Sequence, residues 1–222
     1  MPILYHLPFD PFSRKVRIIL AEKQFEAELV TEQPWLKRQE FLHINPAGEV
    51  PVLHEPGKLA LSPSQVIAEY LEETLTKVPL LPSHPAARAE IRRLCAWFDR
   101  KFHEEVTSRL VGEKLSRHLT GRTEPDSARI RTGYTNIDLH LSYINLLAEE
   151  RNWLGGNQFS LADISAAAHL SCLDYLGDVP WHDHLDAKNW YSRVKSRPSF
   201  QSLLRDVIPG QRPPPHYADI DF

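Results

Sequence analysis

The stretch Asn45-Pro46-Ala47-Gly48-Glu49-Val50-Pro51-Val52-Leu53 does most to limit what this chain can fold into. Its Val50-Pro51 step enters a short apolar run, which reads as a cis-proline opening a strand, and a cis X-Pro bond survives only where a fold holds it in place. Short strand and helix signals alternate around it. Ile3-Leu4-Tyr5 reads as a strand, and Ser13 to Lys23 places Val16, Ile19, Leu20 and Lys23 at helical spacing behind a proline-containing turn. Glu28-Leu29-Val30 suits a second strand. After Val50 to Leu53, the turn Glu55-Pro56-Gly57 and the run Leu59-Ala60-Leu61 form a hairpin signal. Ser64 is expected to cap a helix carrying Val66, Ile67, Tyr70 and Leu71.

From Thr76 to Pro85 the composition shifts to Pro79, Pro82 and Pro85 around Leu80-Leu81, as in a linker between domains. Almost everything beyond has helical periodicity. One long run passes through Ile91, Leu94, Phe98, Phe102 and Val106, and a second through Ile130, Tyr134, Ile137, Leu141, Ile144 and Leu147. Ser160-Leu161-Ala162-Asp163 has the spacing of a capping box with an acidic fourth member, and Phe159 is placed to staple onto Ile164. The division expected is an α/β domain over 1–77, a linker over 78–86, an all-helical domain over 87–208 and an extended proline-rich tail over 209–222.

Composition narrows the function classes. With 222 residues and 42% hydrophobic content the chain can bury a full core. Its formal charge is 26 − 29 = −3, with no run of Lys and Arg to track phosphates, so nucleic acid is not an expected partner. No apolar run approaches the ~18 residues of a membrane span, and Met1 to His6 lacks a basic segment followed by a signal-like apolar block, so a soluble cytoplasmic protein is expected. Cys95 and Cys172 lie far apart in helical patterns and read as buried thiols. His182 and His184 in Trp181-His182-Asp183-His184 lack a third ligand at a recognised spacing, so they read as solvated loop histidines and no metal site is expected.

Five motifs in the right order resemble the glutathione S-transferase superfamily over essentially the whole chain: Pro11-Phe12-Ser13-Arg14-Lys15-Val16-Arg17, the Asn45 to Leu53 run, Ser64-Gln65-Val66-Ile67 with Tyr70-Leu71, Leu80-Leu81-Pro82, and the Ser160 to Asp163 box. The resemblance implies an N-terminal thioredoxin-like domain, a C-terminal helical bundle, and a homodimer with its two-fold between the domains. In thioredoxin-like domains the residue before the cis-proline turns its amide and carbonyl outward, as a docking edge for an extended peptide. It also implies a glutathione site in which a Ser, Cys or Tyr at the start of the first helix stabilises the thiolate, helped by the helix dipole. Here that position reads Asp10-Pro11. An ionised carboxylate only accepts hydrogen bonds and repels a developing thiolate, so it raises the thiol pKa. The acidic residue that the family uses on the ligand's amino group is likewise replaced, by Pro63 ahead of Ser64. No catalytic residue and no cofactor are therefore expected. The rival is a glutathione-dependent transferase or peroxidase that uses Ser13 or Tyr5, with Val50, Pro51 and Ser64 binding glutathione.

Two further features suit protein contacts. Trp35 sits in the polar segment Glu32 to Glu40, where tryptophan serves either as an interface anchor or as packing. The tail from Pro209 stiffens through Pro213-Pro214-Pro215 and then alternates aromatic or apolar with acidic residues. Together with Trp97-Phe98-Asp99-Arg100-Lys101-Phe102 and Asp10-Pro11, this ending resembles the FzlA group of alphaproteobacterial proteins. These are transferase-fold relatives that bind the tubulin-like division protein FtsZ and favour curved filaments and bundles. The resemblance implies a homodimeric, non-enzymatic module at the division site. It also implies FtsZ and other division proteins as partners, with Trp35, Arg212, His216, Tyr217, Asp219, Asp221 and Phe222 as the expected contacts. A stress-response adaptor of the same fold is equally compatible with the residues.

Overall fold

Strands β1 (Ile3–His6), β2 (Glu28–Thr31), β3 (Val52–Glu55) and β4 (Leu59–Leu61) form one mixed sheet in the order β2-β1-β3-β4. This computed structural model describes residues 1–116, 120, 121 and 124–219. They fall into two units, Met1–Leu80 and Leu81–Phe222.

In the first unit β1 runs parallel to β2, with Tyr5 opposite Val30, and antiparallel to β3, with Leu4 opposite Leu53. Helix α1 (Pro11–Glu22) supplies the crossover from β1 to β2. It starts cleanly because Asp10 caps it and Pro11 occupies a first-turn position that needs no donor. Leu4, Val16, Ile18, Ile19, Val52, Leu53 and Ile67 are fully buried. After a short helix α2 (Gln39–Ile44), the Val50-Pro51 bond is cis, and Val52 enters β3. Helix α3 (Ser64–Thr74) packs on α1. Its N-cap is Pro63, with no side-chain cap bond, so Ser64 is the first helical residue rather than the cap. A second cis bond, Ser62-Pro63, delivers the chain to that helix.

Lys23 and Glu72 close this unit from below. Their ion pair is 2.6 Å long, and the side chains are 1% and 9% exposed. Lys23 Nζ also donates to the carbonyls of Leu75 and Val78, while both Glu72 oxygens accept from Leu80 N–H.

The second unit is helical. Helix α4 (Pro85–Ala96) opens at Pro85, and its chain continues as a π-helical stretch Trp97–Thr107, helix α5 (Ser108–Val111) and a second π stretch Gly112–Ser116. Helices α6 (Ser127–Glu150), α7 (Leu161–Leu176), α8 (Leu185–Lys195) and the short α9 (Pro198–Gln201) follow. Every residue of α7 from Leu161 to Tyr175 is buried, so this helix is the core and its neighbours wrap it. Ser160 and Asp163 complete the capping box. Asp163 accepts from Ser160 N–H, Ser160 Oγ and Leu154 N–H, and also from Trp190 Nε1 on α8. Phe159 lies edge-on to Trp153 and beneath the Arg197 guanidinium at 4.0 Å.

The wide turns of the first π stretch are tied to α6. Trp97 Nε1 donates to His140 Nδ1, His140 Nε2 meets Glu105 Oε2, and Asn136 Nδ2 donates to the Glu105 carbonyl. Gly133 permits this approach, because a Cβ there would lie 2.9 Å from Leu110. Both cysteines are buried thiols, and Cys172 Sγ donates to the Ala168 carbonyl.

Candidate functional site

In the first unit, the would-be thiol site is built on the α1 cap. Asp10 is held there by Ser13 N–H at 2.6 Å. Burial pushes its carboxyl up to about 6, against the opposing pull of the Ser13 side chain, the backbone amides of Ser13 and Phe12, and Arg14. At neutral pH the group is mainly ionised.

Ser13 does not stand in for it. The residue is wholly buried, its Oγ accepts from Leu7 N–H at 3.2 Å, and its side chain also bonds Asp10. The hydroxyl is thus occupied in tying the loop before α1 to the helix it starts. Tyr5, on β1, rests against Phe41 with ring centroids 5.4 Å apart. The Val50-Pro51 bond is cis, Pro51 and Ser64 are buried, and Val50 is partly exposed. Next to Ser64, Gln65 accepts from the buried Lys15 Nζ and donates to Glu69. Pro63, where the resemblance led to an acid being expected, offers no acceptor side chain.

Trp35 lies half-buried in a single 3-10 turn, Pro34–Leu36, beside Leu36, which is 59% exposed. The turn is braced from behind: Arg38 grips Glu32 through both Nη2 (2.5 Å) and Nε, and the Glu32 side chain is 1% exposed. That fork fixes the loop while leaving an indole and a leucine at the surface.

The tail, in the second unit, is packed onto its own helices as far as Asp219. Ile208 N–H donates to Tyr175 Oη, which donates to the Gln211 carbonyl. Tyr217 is fully buried, stands edge-on to Tyr175 at 5.1 Å, and donates to the Leu203 carbonyl. Lys195 Nζ donates to the His216 carbonyl at 2.8 Å, and His216 Nε2 meets Asp174 Oδ1 at 3.0 Å. Burial lowers Lys195 to about 8, with Asp174 and Asp219 pulling the other way. The structure therefore corrects one expected contact: Tyr217 is an anchor facing inward, and Arg212 and Asp219 are the exposed members of the set. Asp221 and Phe222 lie outside the described residues. The histidine pair is also corrected in part, since His184 is buried and bonded to Asp138 and Asn145, whereas His182 is exposed.

Sequence reading missed the ion-pair cluster of Lys114, Tyr134 and Asp178, which joins the second π stretch, α6 and the end of α7. Its one local signal is Gly177-Asp178, a glycine stop followed by an acid.

Comparison with known proteins decides the family. The glutathione S-transferase N-terminal domain family matches residues 4–87. FtsZ-localized protein A of Caulobacter vibrioides is 46% identical over 222 residues, covering 99% of this chain and 97% of that protein. This chain belongs to the glutathione S-transferase superfamily. Among solved structures of that superfamily, one described as a glutathione S-transferase from Rhodospirillum rubrum superposes with a TM-score of 0.97 at 52% identity. FzlA from C. crescentus superposes with 0.96 at 46%; both matches cover 100% of this chain, with 100% of the first structure and 99% of the second. The fold is that of the superfamily, with a four-stranded thioredoxin-like unit and a helical unit.

Proposed function

We propose that this chain is a non-enzymatic FtsZ-binding regulator of cell division that acts as a homodimer in the cytoplasm, concentrated at the division site, and promotes curved or bundled FtsZ filaments. The observation that carries the reading is the end-to-end similarity to FtsZ-localized protein A, at 46% identity. The altered thiol site supports it. Asp10 supplies an anionic acceptor where glutathione chemistry wants a donor, and Ser13 is committed to the loop. Trp35 with Leu36, and the tail surface at Arg212, His216 and Asp219, are the proposed contacts. Asp221 and Phe222 belong to the same proposed set. In a homodimer each of these surfaces occurs twice, so one molecule can engage two filaments.

Co-sedimentation with FtsZ is the test. With GTP the protein is expected to pellet with filaments, and with GDP to stay in the supernatant; absence from the GTP pellet at micromolar concentrations would overturn the reading.

The second reading, a glutathione-dependent transferase or peroxidase, is favoured by the buried Ser64 and by the full-length likeness to the Rhodospirillum rubrum structure. Calorimetry with millimolar glutathione separates the two. Saturable binding together with turnover of a chromogenic electrophile would establish the second, and no heat at that concentration would remove it.

A further inference from the structure

The tail closes over a buried charge pair that belongs to the helices beneath it. Asp174 of α7 and Lys195 of α8 have fully buried side chains, and Lys195 Nζ lies 3.9 Å from Asp174 Oδ2. The pair is loose, and among the described residues Oδ2 has no hydrogen-bond partner. Other segments supply what the two helices do not. Trp181 Nε1 donates to Asp174 Oδ1 from the turn Trp181–Asp183. The tail contributes twice at one residue: His216 Nε2 meets Asp174 Oδ1 at 3.0 Å, and the His216 carbonyl accepts from Lys195 Nζ at 2.8 Å. A carboxylate only accepts, so the His216 ring carries a proton on Nε2.

Away from this latch the tail is lightly held. Ile208 and Tyr217 are its buried apolar anchors, while Pro209, Gly210, Arg212, Pro215, Ala218 and Asp219 are exposed. Several of its hydrogen bonds are internal and move with it: Gln211 N–H donates to the Ile208 carbonyl, Tyr217 N–H to the Pro214 carbonyl and Asp219 N–H to the His216 carbonyl. A segment with few buried apolar contacts and local hydrogen bonds opens at a lower free energy than the helices it covers. The cluster beneath opposes closure further. Burial lowers Lys195 to about 8, against the pull of Asp174 on α7 and Asp219 on the tail; the Tyr191 ring, on Lys195's own helix, lies 5.8 Å from the ammonium. The docked tail thus prefers a neutral amine, and a lifted tail, which admits water to Nζ, prefers the charged one. This contribution to docking is complete above the ordinary 10.5, is lost as the pH falls to about 8, and is absent below.

We propose that the segment from Ile208 to Asp219 is a detachable strap that lifts off the helical unit as one piece, and that the positive charge on Lys195 is what loosens it. Lifting withdraws Tyr217 from its site beside Tyr175 and the Leu203 carbonyl, and frees the His216 ring and carbonyl from Asp174 and Lys195. The docked strap presents Arg212 and Asp219; the lifted strap adds the Tyr217 ring. The inference stands apart from the FtsZ reading, because the movement belongs to the chain without any partner.

The test uses the full chain with Ala218→Cys, tagged with a trifluoromethyl group. Ala218 is exposed beside Tyr217, and the native thiols are buried. Fluorine saturation transfer at pH 7.5 is expected to find a minor lifted state, at or below about 1%. Tyr217→Phe gives up the hydroxyl's bond to the Leu203 carbonyl and is expected to enlarge that signal severalfold, so that it can be followed with pH. From pH 7.5 to 9.5 the ratio of lifted to docked strap is expected to fall by between about threefold and about 20-fold, at unchanged far-UV circular dichroism. Lys195→Met removes the charge but leaves Asp174 without its cation and can weaken the helices. Lys195→Arg, which stays charged throughout, is therefore the second variant, and either one is expected to give a ratio that does not change with pH. A fall of less than about threefold, the same fall in Lys195→Arg, a lifted signal that appears only as helix is lost, or no minor signal in the native and Tyr217→Phe proteins would overturn the proposal.

Discussion

Asp10 performs two jobs that conflict. As an N-cap it satisfies the Ser13 amide and starts α1, and for that a neutral or charged oxygen serves equally well. As a buried carboxyl pushed up to about 6, it costs free energy to ionise in the folded chain. The folded state therefore keeps a proton, between the ordinary value of 3.8 and about 6, that the unfolded chain has already released. Asp10's contribution thus favours folding below pH 3.8 and is lost as the pH rises through about 6. Asp10→Asn keeps the cap acceptor and removes the titration. The wild-type protein is expected to lose up to about 3 kcal/mol relative to Asp10→Asn between pH 4 and pH 7, read from urea midpoints at each pH. Parallel curves for the two proteins would show that Asp10 titrates normally. The same chemistry explains why the residue sits poorly in a thiol-activating site, and that conflict was visible in the dipeptide Asp10-Pro11 alone. The burial of Ser13 was not visible, because it arises from the Leu7 amide reaching its hydroxyl across the turn.

At the scale of elements, the Lys23–Glu72 pair does what short helices cannot do by themselves. It ties the end of α1 to the last turn of α3 and to the backbone at Leu75, Val78 and Leu80. Removing one member of a buried pair leaves the other charged and unpaired, which costs about 3–5 kcal/mol. Glu72→Ala is therefore expected to lower the unfolding free energy by about that amount, whereas breaking the exposed Lys58–Glu55 pair has an effect below about 1 kcal/mol. Chemical denaturation measures both, and equal small losses would mean that water reaches the Lys23 site. Lys23 could be placed on a helix from periodicity, but its partner lies 49 positions away. Features encoded within a few residues were legible: the strand opened by Pro51, the hairpin at Gly57, and the Ser160–Asp163 box with both of its hydrogen bonds. Features made by distant segments were not. The cap of α3 is Pro63 rather than Ser64, Tyr217 turned inward to meet Tyr175, and the Lys114, Tyr134 and Asp178 cluster needs α6 beside the end of α7.

For the whole molecule, the proposed bundling rests on symmetry rather than on a second kind of binding site. If each protomer carries one filament-binding surface, a homodimer binds one filament with either protomer and joins two only when both are competent. The two activities therefore depend differently on the fraction of competent chains. A variant changed on the exposed tail, Arg212→Glu, leaves the buried anchors Tyr217 and Lys195 in place and is expected to fold normally while losing filament contact. Co-expressed with wild-type chain at equal levels and assorting at random, it yields doubly competent dimers for only about one quarter of the population, with about one half carrying a single competent face. Bundling, followed by light scattering, is expected to fall to about one quarter, while co-sedimentation with single filaments falls only to about three quarters. A proportional fall of both would place bundling within one protomer, and no loss of either would exclude the tail as a contact. Tyr217→Ala separates anchoring from contact in the same assay: it empties a fully buried aromatic site, so a loss of about 3–5 kcal/mol in stability is expected with any loss of binding, whereas Arg212→Glu loses binding alone.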